Sequence, residues 1–140
     1  MTAAGDRREN VRTLDAIVVN ARICILVGHN KAAEALLRYA LREWGDESRL
    51  LRLLAQTLDL RADHAGVLDA LERLRSLAGH ASDEGSAIDV MEARALFALG
   101  RVEEARERFA RHKALLRTAT VGVADDAEVG TEHVEPRRVA

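Results

Sequence analysis

Apolar and polar residues recur along this chain with helical spacing, interrupted by short polar or glycine-containing breaks. The breaks lie at 28–30, 45–48, 61–64, 79–86 and Gly100. The segments between them have the length of ordinary globular helices. The pattern therefore predicts six helices, near residues 10–27, 31–44, 48–61, 64–78, 87–99 and 102–118.

Composition supports a fold made almost entirely of helices. Apolar residues make up 48% of the 140 residues, aromatic residues only 3%, and the single proline is Pro136. Chains rich in Ala, Leu, Arg and Glu and poor in proline favour helix. This composition excludes a β-sandwich or barrel and a collagen-like rod, and the lone Cys24 excludes an intramolecular disulfide.

Four of the breaks contain a residue suited to capping the helix that follows. Asn30, Asp46, Asp63 and Ser86 can each accept a hydrogen bond from a backbone N–H that the first helical turn leaves unpaired. Ser86 and Asp89 together have the spacing of a capping box. We therefore expect these residues at helix starts.

The breaks are also evenly spaced. Gly28 and Ala62 lie 34 residues apart, and Gly100 follows after 38, with the additional residues in the loop 79–86. A helical-hairpin period of 34 is that of the tetratricopeptide repeat, and the chain resembles this family over residues 11–118. Residues of the sizes that the family favours fall at matching places in three units: Ala21, Gly28, Ala33, Leu37 and Ala40; Ala55, Ala62, Val67, Leu71 and Leu74; Ala93, Gly100, Ala105, Phe109 and His112.

The resemblance implies an all-α fold of three antiparallel helical hairpins, stacked as a short right-handed solenoid. We expect a polar N-terminal tail over 1–9, the repeat domain over 10–118 and a disordered tail over 119–140. The three units are expected near 14–46, 48–80 and 86–118. The alternative is a plain six-helix bundle whose spacing is coincidental.

In this family the first helix of each hairpin lines a concave groove that binds ligands, which gives a set of candidate binding residues. They are Val18, Val19, Arg22, Ile25, Arg52, Gln56, Asp59, Val90, Met91, Arg94 and Phe97. The set is apolar at both ends and polar in the centre, which suits an amphipathic helix or an extended segment with two apolar anchors. The alternative is that these apolar residues pack inside a small, tightly curved core.

Charge and chemistry narrow the function further. The net charge is -2, with acids and bases interleaved, so no nucleic-acid partner is expected. No apolar run approaches the length of a membrane span, so no membrane insertion is expected. The single cysteine and the polar N-terminus predict a cytoplasmic protein. No residue cluster predicts catalysis, a metal or a cofactor, so the expected function is non-catalytic binding of a protein partner.

One group within the repeat family is particularly similar in size. The turn at Gly28 and His29, followed by Ala33, Leu36, Leu37 and Leu41, resembles the small tetratricopeptide chaperones of bacterial type III secretion. That resemblance implies a small secreted protein or a cognate subunit as the partner.

The alternative is a scaffold or regulatory protein that forms a homodimer through helix 14–27.

If Val18 and Val90 line an open groove, Val18→Asp and Val90→Glu should abolish binding of the protein partner without loss of helicity.

Overall fold

The computed structural model describes residues 3–78 and 84–128, and the side chains of 4–77 and 87–118. Every regular element in these residues is an α-helix. The helices are α1 (Ala3–Leu26), α2 (Asn30–Trp44), α3 (Ser48–Leu60), α4 (His64–Ala78), α5 (Glu84–Ala98) and α6 (Val102–Glu128).

Each helix packs against the next one along the chain, and α3 also contacts α1. Because the connections are short, consecutive helices run antiparallel. The pairs α1–α2, α3–α4 and α5–α6 form three hairpins that stack in sequence order as a short solenoid. The predicted all-α class and the stacking of helical hairpins are confirmed.

The turns inside the three hairpins have the same geometry, which supports the internal repeat. Gly28, Ala62 and Gly100 all have positive φ, of 82°, 58° and 80°. In each turn this residue donates its N–H to the carbonyl three residues earlier, at 3.1, 3.0 and 3.0 Å. The N–H that follows bonds the carbonyl five residues earlier, at 2.8, 2.9 and 2.9 Å. This left-handed helix ending favours glycine, so Ala62 is the strained member.

The core lies between the helices of each hairpin and between neighbouring hairpins. Small residues fill the places where helices approach closely, and larger aliphatic residues, most of them leucines from α2, α3 and α4, fill the rest. Of the repeat positions predicted from the sequence, these are buried: Ala21, Ala33, Leu37, Ala40, Ala55, Val67, Leu71, Leu74, Ala93 and Ala105. The repeat register therefore identifies most of the core.

The outer helices extend further than the pattern predicts. α1 begins at Ala3, inside the expected polar tail 1–9, and α6 continues to Glu128, inside the expected disordered tail 119–140. Residues 129–140 lie outside the described residues. Both extensions are polar or alanine-rich and lack proline, so an existing helix can propagate through them without a new nucleation step. Polarity indicates that such a segment does not face the core, but it does not end a helix.

The expected caps are correct in one case and displaced in the other three. Asp63 accepts a hydrogen bond from the backbone N–H three residues later, as predicted. At the start of α3 the capping residue is Glu47 and not Asp46, because the Glu47 carboxylate reaches the N–H three residues later. At α2 the residue in the capping position is His29, and Asn30 is the first helical residue.

The cap expected at Ser86 is also displaced, because α5 begins earlier, at Glu84. The side chain of Ser86 and residues 79–83 lie outside the described residues.

Candidate protein-binding surfaces

The predicted groove residues separate into two clefts and a remainder that lies in neither. Arg22, Ile25, Arg52 and Gln56 come together in a depression of about 410 Å³ between α1 and α3. We call this the α1–α3 depression; Leu26, Arg49 and Leu53 complete its lining. Its rim is strongly basic, and Arg49 is paired there with Asp15 at 2.7 Å.

The second cleft is larger and mostly apolar, with a volume of about 740 Å³. We call it the α5–α6 cleft, because both helices of the third hairpin form its walls. Three predicted groove residues, Asp59, Arg94 and Phe97, contribute to it. Its lining is Asp59, His64, Ala93, Arg94, Phe97, Ala98, Ala105, Arg106, Phe109, Ala110 and Lys113.

Four predicted groove residues lie in neither cleft. Val18 is only 6% exposed and belongs to the core, so its assignment to an open groove is wrong. The physical reason is that α1 packs on both α2 and α3, which places Val18 inside the stack. Val19 is 54% exposed on the outer side of α1, while Val90 and Met91 are half-buried. Val18→Asp would therefore test folding and not binding.

Charged side chains border the α5–α6 cleft. The Arg94 guanidinium lies 3.4 Å from the Asp59 carboxylate, an ion pair that joins α5 to the end of α3. On α6, Arg106 pairs with Glu103 at 3.1 Å. The Nδ1 atom of His64 is buried beside the cleft without a hydrogen-bond partner. The cleft thus combines an apolar floor with a rim in which cations predominate.

The internal repeat explains why this cleft exists. Phe109 occupies the position that Leu37 and Leu71 occupy in the first two hairpins. Those leucines are 0% and 1% exposed, whereas Phe109 is 51% exposed. In the first two hairpins, the next hairpin packs over this position through the α2–α3 and α4–α5 contacts. Within the described residues no further hairpin follows α6, so the corresponding surface is open.

Asp89, which the sequence pattern places in a capping box with Ser86, is the most buried charged residue in the described part of the chain. Asp89 is 1% exposed and accepts a hydrogen bond from Arg75 at 2.9 Å. Arg75 also bonds Glu92, and Arg108 approaches Glu92 at 3.5 Å. Burial lowers the pKa of Arg75, but the hydrogen bond to Asp89 and the charge of Glu92 outweigh it and raise the pKa overall.

This cluster joins α4, α5 and α6, and the repeat register contains the signal that could have located it. Asp89 stands at the position of Ile17 and Leu51, both of which are buried. A carboxylate at a core position requires a cationic partner. Since each carboxylate of the cluster has a cationic partner on a neighbouring helix, we interpret it as a structural contact between hairpins.

The fold and these surfaces define the chain as a helical-hairpin solenoid with an open apolar cleft at its third hairpin. No protein-family model matches the sequence, and no curated protein matches it significantly. In the described residues, no helix is both long and apolar enough to cross a bilayer. Those residues also contain no group of three or more His, Cys, Asp and Glu side chains placed to hold a metal ion.

Proposed function

We propose that this protein is a non-catalytic, protein-binding module of the tetratricopeptide-repeat class, and that its α5–α6 cleft binds the apolar face of a partner helix. The observation that supports this most strongly is the exposure of Phe97 and Phe109, at 67% and 51%. The two phenylalanines line the same cleft, one from each wall. Contiguous exposed apolar surface of this kind marks an interaction site, and aromatic residues are enriched in interfaces.

A helix is the form of partner that fits this cleft best. The first two hairpins each receive a helix at the equivalent surface, namely α3 and α5. The walls are two antiparallel helices lined with Ala98 and Ala110, whose small side chains allow close approach. A partner helix with apolar residues at i, i+3 or i+4, and i+7 would place them along such a groove.

The polar contacts of the partner and its location complete the proposal. Of the three cations at the rim, Arg94 and Arg106 pair with Asp59 and Glu103, and Lys113 favours a partner helix with a hydrogen-bond acceptor beside its apolar stripe. We place this binding activity in the cytoplasm on the basis of the single cysteine. The narrower idea of a chaperone for a secreted subunit rests on the sequence resemblance alone.

The test compares two exposed aromatic residues on different faces. Phe109→Glu places a charge in the α5–α6 cleft, and the matched control Tyr39→Glu places one on α2, where Tyr39 is 49% exposed. Both tagged variants are expressed in the source organism, and proteins retained with each are quantified by mass spectrometry. We expect the partner to be retained at wild-type levels by Tyr39→Glu and at least tenfold less by Phe109→Glu, a loss of about 1.4 kcal/mol.

Circular dichroism of both variants provides the folding control, since neither substitution enters the core. A partner retained equally by Phe109→Glu and Tyr39→Glu would show that binding does not use the cleft. In that event, Arg52→Glu asks whether the α1–α3 depression is the binding surface instead.

A further inference from the structure

We infer that the helix received by the α5–α6 cleft is α1 of a second copy of the chain, so that copies join head to tail. The inference rests on the proposed function of the cleft and names its partner. It comes from comparing the burial of equivalent repeat positions in the three hairpins. The comparison shows which surfaces a neighbouring hairpin covers inside the stack and leaves exposed at its ends.

The outer face of α1 is the first half of the comparison. On α3, Leu50, Leu53 and Thr57 are buried. The equivalent residues on α1, 34 positions earlier, are Ala16, Val19 and Ile23, and all three are exposed. Because α3 has a preceding hairpin and α1 has none among the described residues, these are the positions that a preceding hairpin buries. The outer face of α1 is therefore built to lie against another hairpin.

The α5–α6 cleft is the complementary half. Leu37 and Leu71 are buried and the equivalent Phe109 is exposed, so this is the position that a following hairpin buries. Phe97 likewise corresponds to Ile25 and Asp59, both of which are only partly exposed. Within the residues that the structure describes, one end of the stack has no preceding hairpin and the other has no following one, and a second copy supplies both.

Two contacts between hairpins within one chain predict the contacts between copies. Within one chain, Arg75 on α4 bonds Glu92 on α5. The equivalent positions at a junction between copies are Lys113 on α6 of one copy and Asn20 on α1 of the next. The amide oxygen of Asn20 can accept a hydrogen bond from Lys113. Arg94 on α5 contacts Asp59 on α3.

The positions of Arg94 and Asp59 have equivalents at the junction between copies. These equivalents are Arg22 of one copy and Phe97 of the other, which would lie beside each other. This is an arrangement suited to a cation–π contact. Both junction pairs are chemically compatible, so the repeat geometry can continue from one copy to the next.

Such a junction uses two different surfaces and does not close on itself. A heterologous contact of this kind produces open chains of copies, whereas a homodimer through α1 alone would use one surface twice. Repeat proteins usually carry polar outer faces on their terminal repeats, whereas here Val19 and Ile23 at one end and Phe97 and Phe109 at the other are exposed. The two modes of self-association therefore predict different responses to blocking one end.

The experiment blocks each end separately in the full-length chain. Ile23→Glu blocks the outer face of α1, Phe109→Glu blocks the cleft, and Tyr39→Glu is the control; all three residues are about half exposed. Mass is measured by light scattering after size exclusion over a range of concentrations. We expect wild type and Tyr39→Glu to rise above the 15.4 kDa of one chain as concentration increases, and each blocked variant to remain at that mass.

The decisive sample is an equimolar mixture of the two blocked variants. Each retains the surface that the other has lost, so one junction can form, and the mass should double and rise no further. Val19→Glu and Phe97→Glu provide a second blocked pair if either first variant shows altered helicity.

Three results would overturn the inference. A wild-type mass of one chain at every concentration excludes self-association, while the partner-capture experiment above still tests the cleft independently. Loss of association in Ile23→Glu but not in Phe109→Glu indicates a homodimer through α1. Association that begins only after removal of residues 129–140 shows that the chain's own C-terminal segment covers the cleft.

Discussion

The repeat permits a sharp prediction about stability, because Leu71 and Phe109 are the same position in two hairpins. Leu71 is 1% exposed and Phe109 is 51% exposed. Truncation to alanine removes more carbon atoms at Phe109, so a simple size argument predicts a larger loss there. The structure predicts the opposite order.

The magnitudes follow from burial. Leu71→Ala leaves a cavity in a closed core, for which losses of about 2–5 kcal/mol are typical. Phe109→Ala leaves no cavity, because one side of the ring already faces the open cleft. With half the side chain exposed, the loss should be about half of the roughly 1.5–3 kcal/mol for full burial, or about 1 kcal/mol.

The assay is urea unfolding followed by circular dichroism, at a protein concentration low enough to keep copies separate. Unchanged m-values would show that the midpoints report stability and not a change in compactness. The reasoning is refuted if Phe109→Ala is as destabilising as Leu71→Ala in dilute solution, since Phe109 would then be buried within the single chain. Raising the protein concentration should increase the cost of Phe109→Ala alone.

Three further predictions concern a turn, the buried cluster and a surface ion pair. Ala62→Gly should stabilise the fold by up to about 1 kcal/mol by removing left-handed strain, whereas Gly100→Ala should destabilise it by a similar amount; thermal unfolding measures both. Asp89→Asn should cost about 1–3 kcal/mol in urea unfolding, because Arg75 loses a charged acceptor. A hydrogen bond from Arg73 on α4 lowers the pKa of Asp46. The contribution of this ion pair to the free energy of unfolding is therefore no more than about 1 kcal/mol, is complete above about pH 4 and is lost as the pH falls below it. Asp46→Asn should remove that part of the pH dependence of the urea midpoint.

The sequence predicts the helices and the hairpin register well because the signals for them are local. Gly28 and Gly100 mark turns through their own conformational freedom, and small residues such as Ala21 and Ala55 mark close helix approaches. At Ala62 the same turn forms without glycine. The even spacing located it, since its residue type gives only a weak signal.

The candidate site was predicted less well because its geometry is tertiary. Val18 and Val19 are adjacent and equally apolar, and which of them faces the core depends on how α1 lies across α2 and α3. In the repeat register Phe109 matches Leu37 and Leu71 in position and apolar character, so the sequence alone does not mark it as exposed. Only the end of the stack turns it into surface, and a pattern that repeats along the chain does not reveal where the stacking stops.

The residues at the ends of the stack also affect how stable a junction between copies would be. A junction between copies lacks the covalent link that joins hairpins within a chain, so it must overcome an association cost of about 4–15 kcal/mol. Phe109 stands where the linked junctions have Leu37 and Leu71, and Phe97 stands where they have Ile25 and Asp59. Phenylalanine offers more apolar area than any of these residues. Phenylalanine therefore enlarges the apolar area of the cleft at these two positions, and its burial between copies would offset part of the association cost.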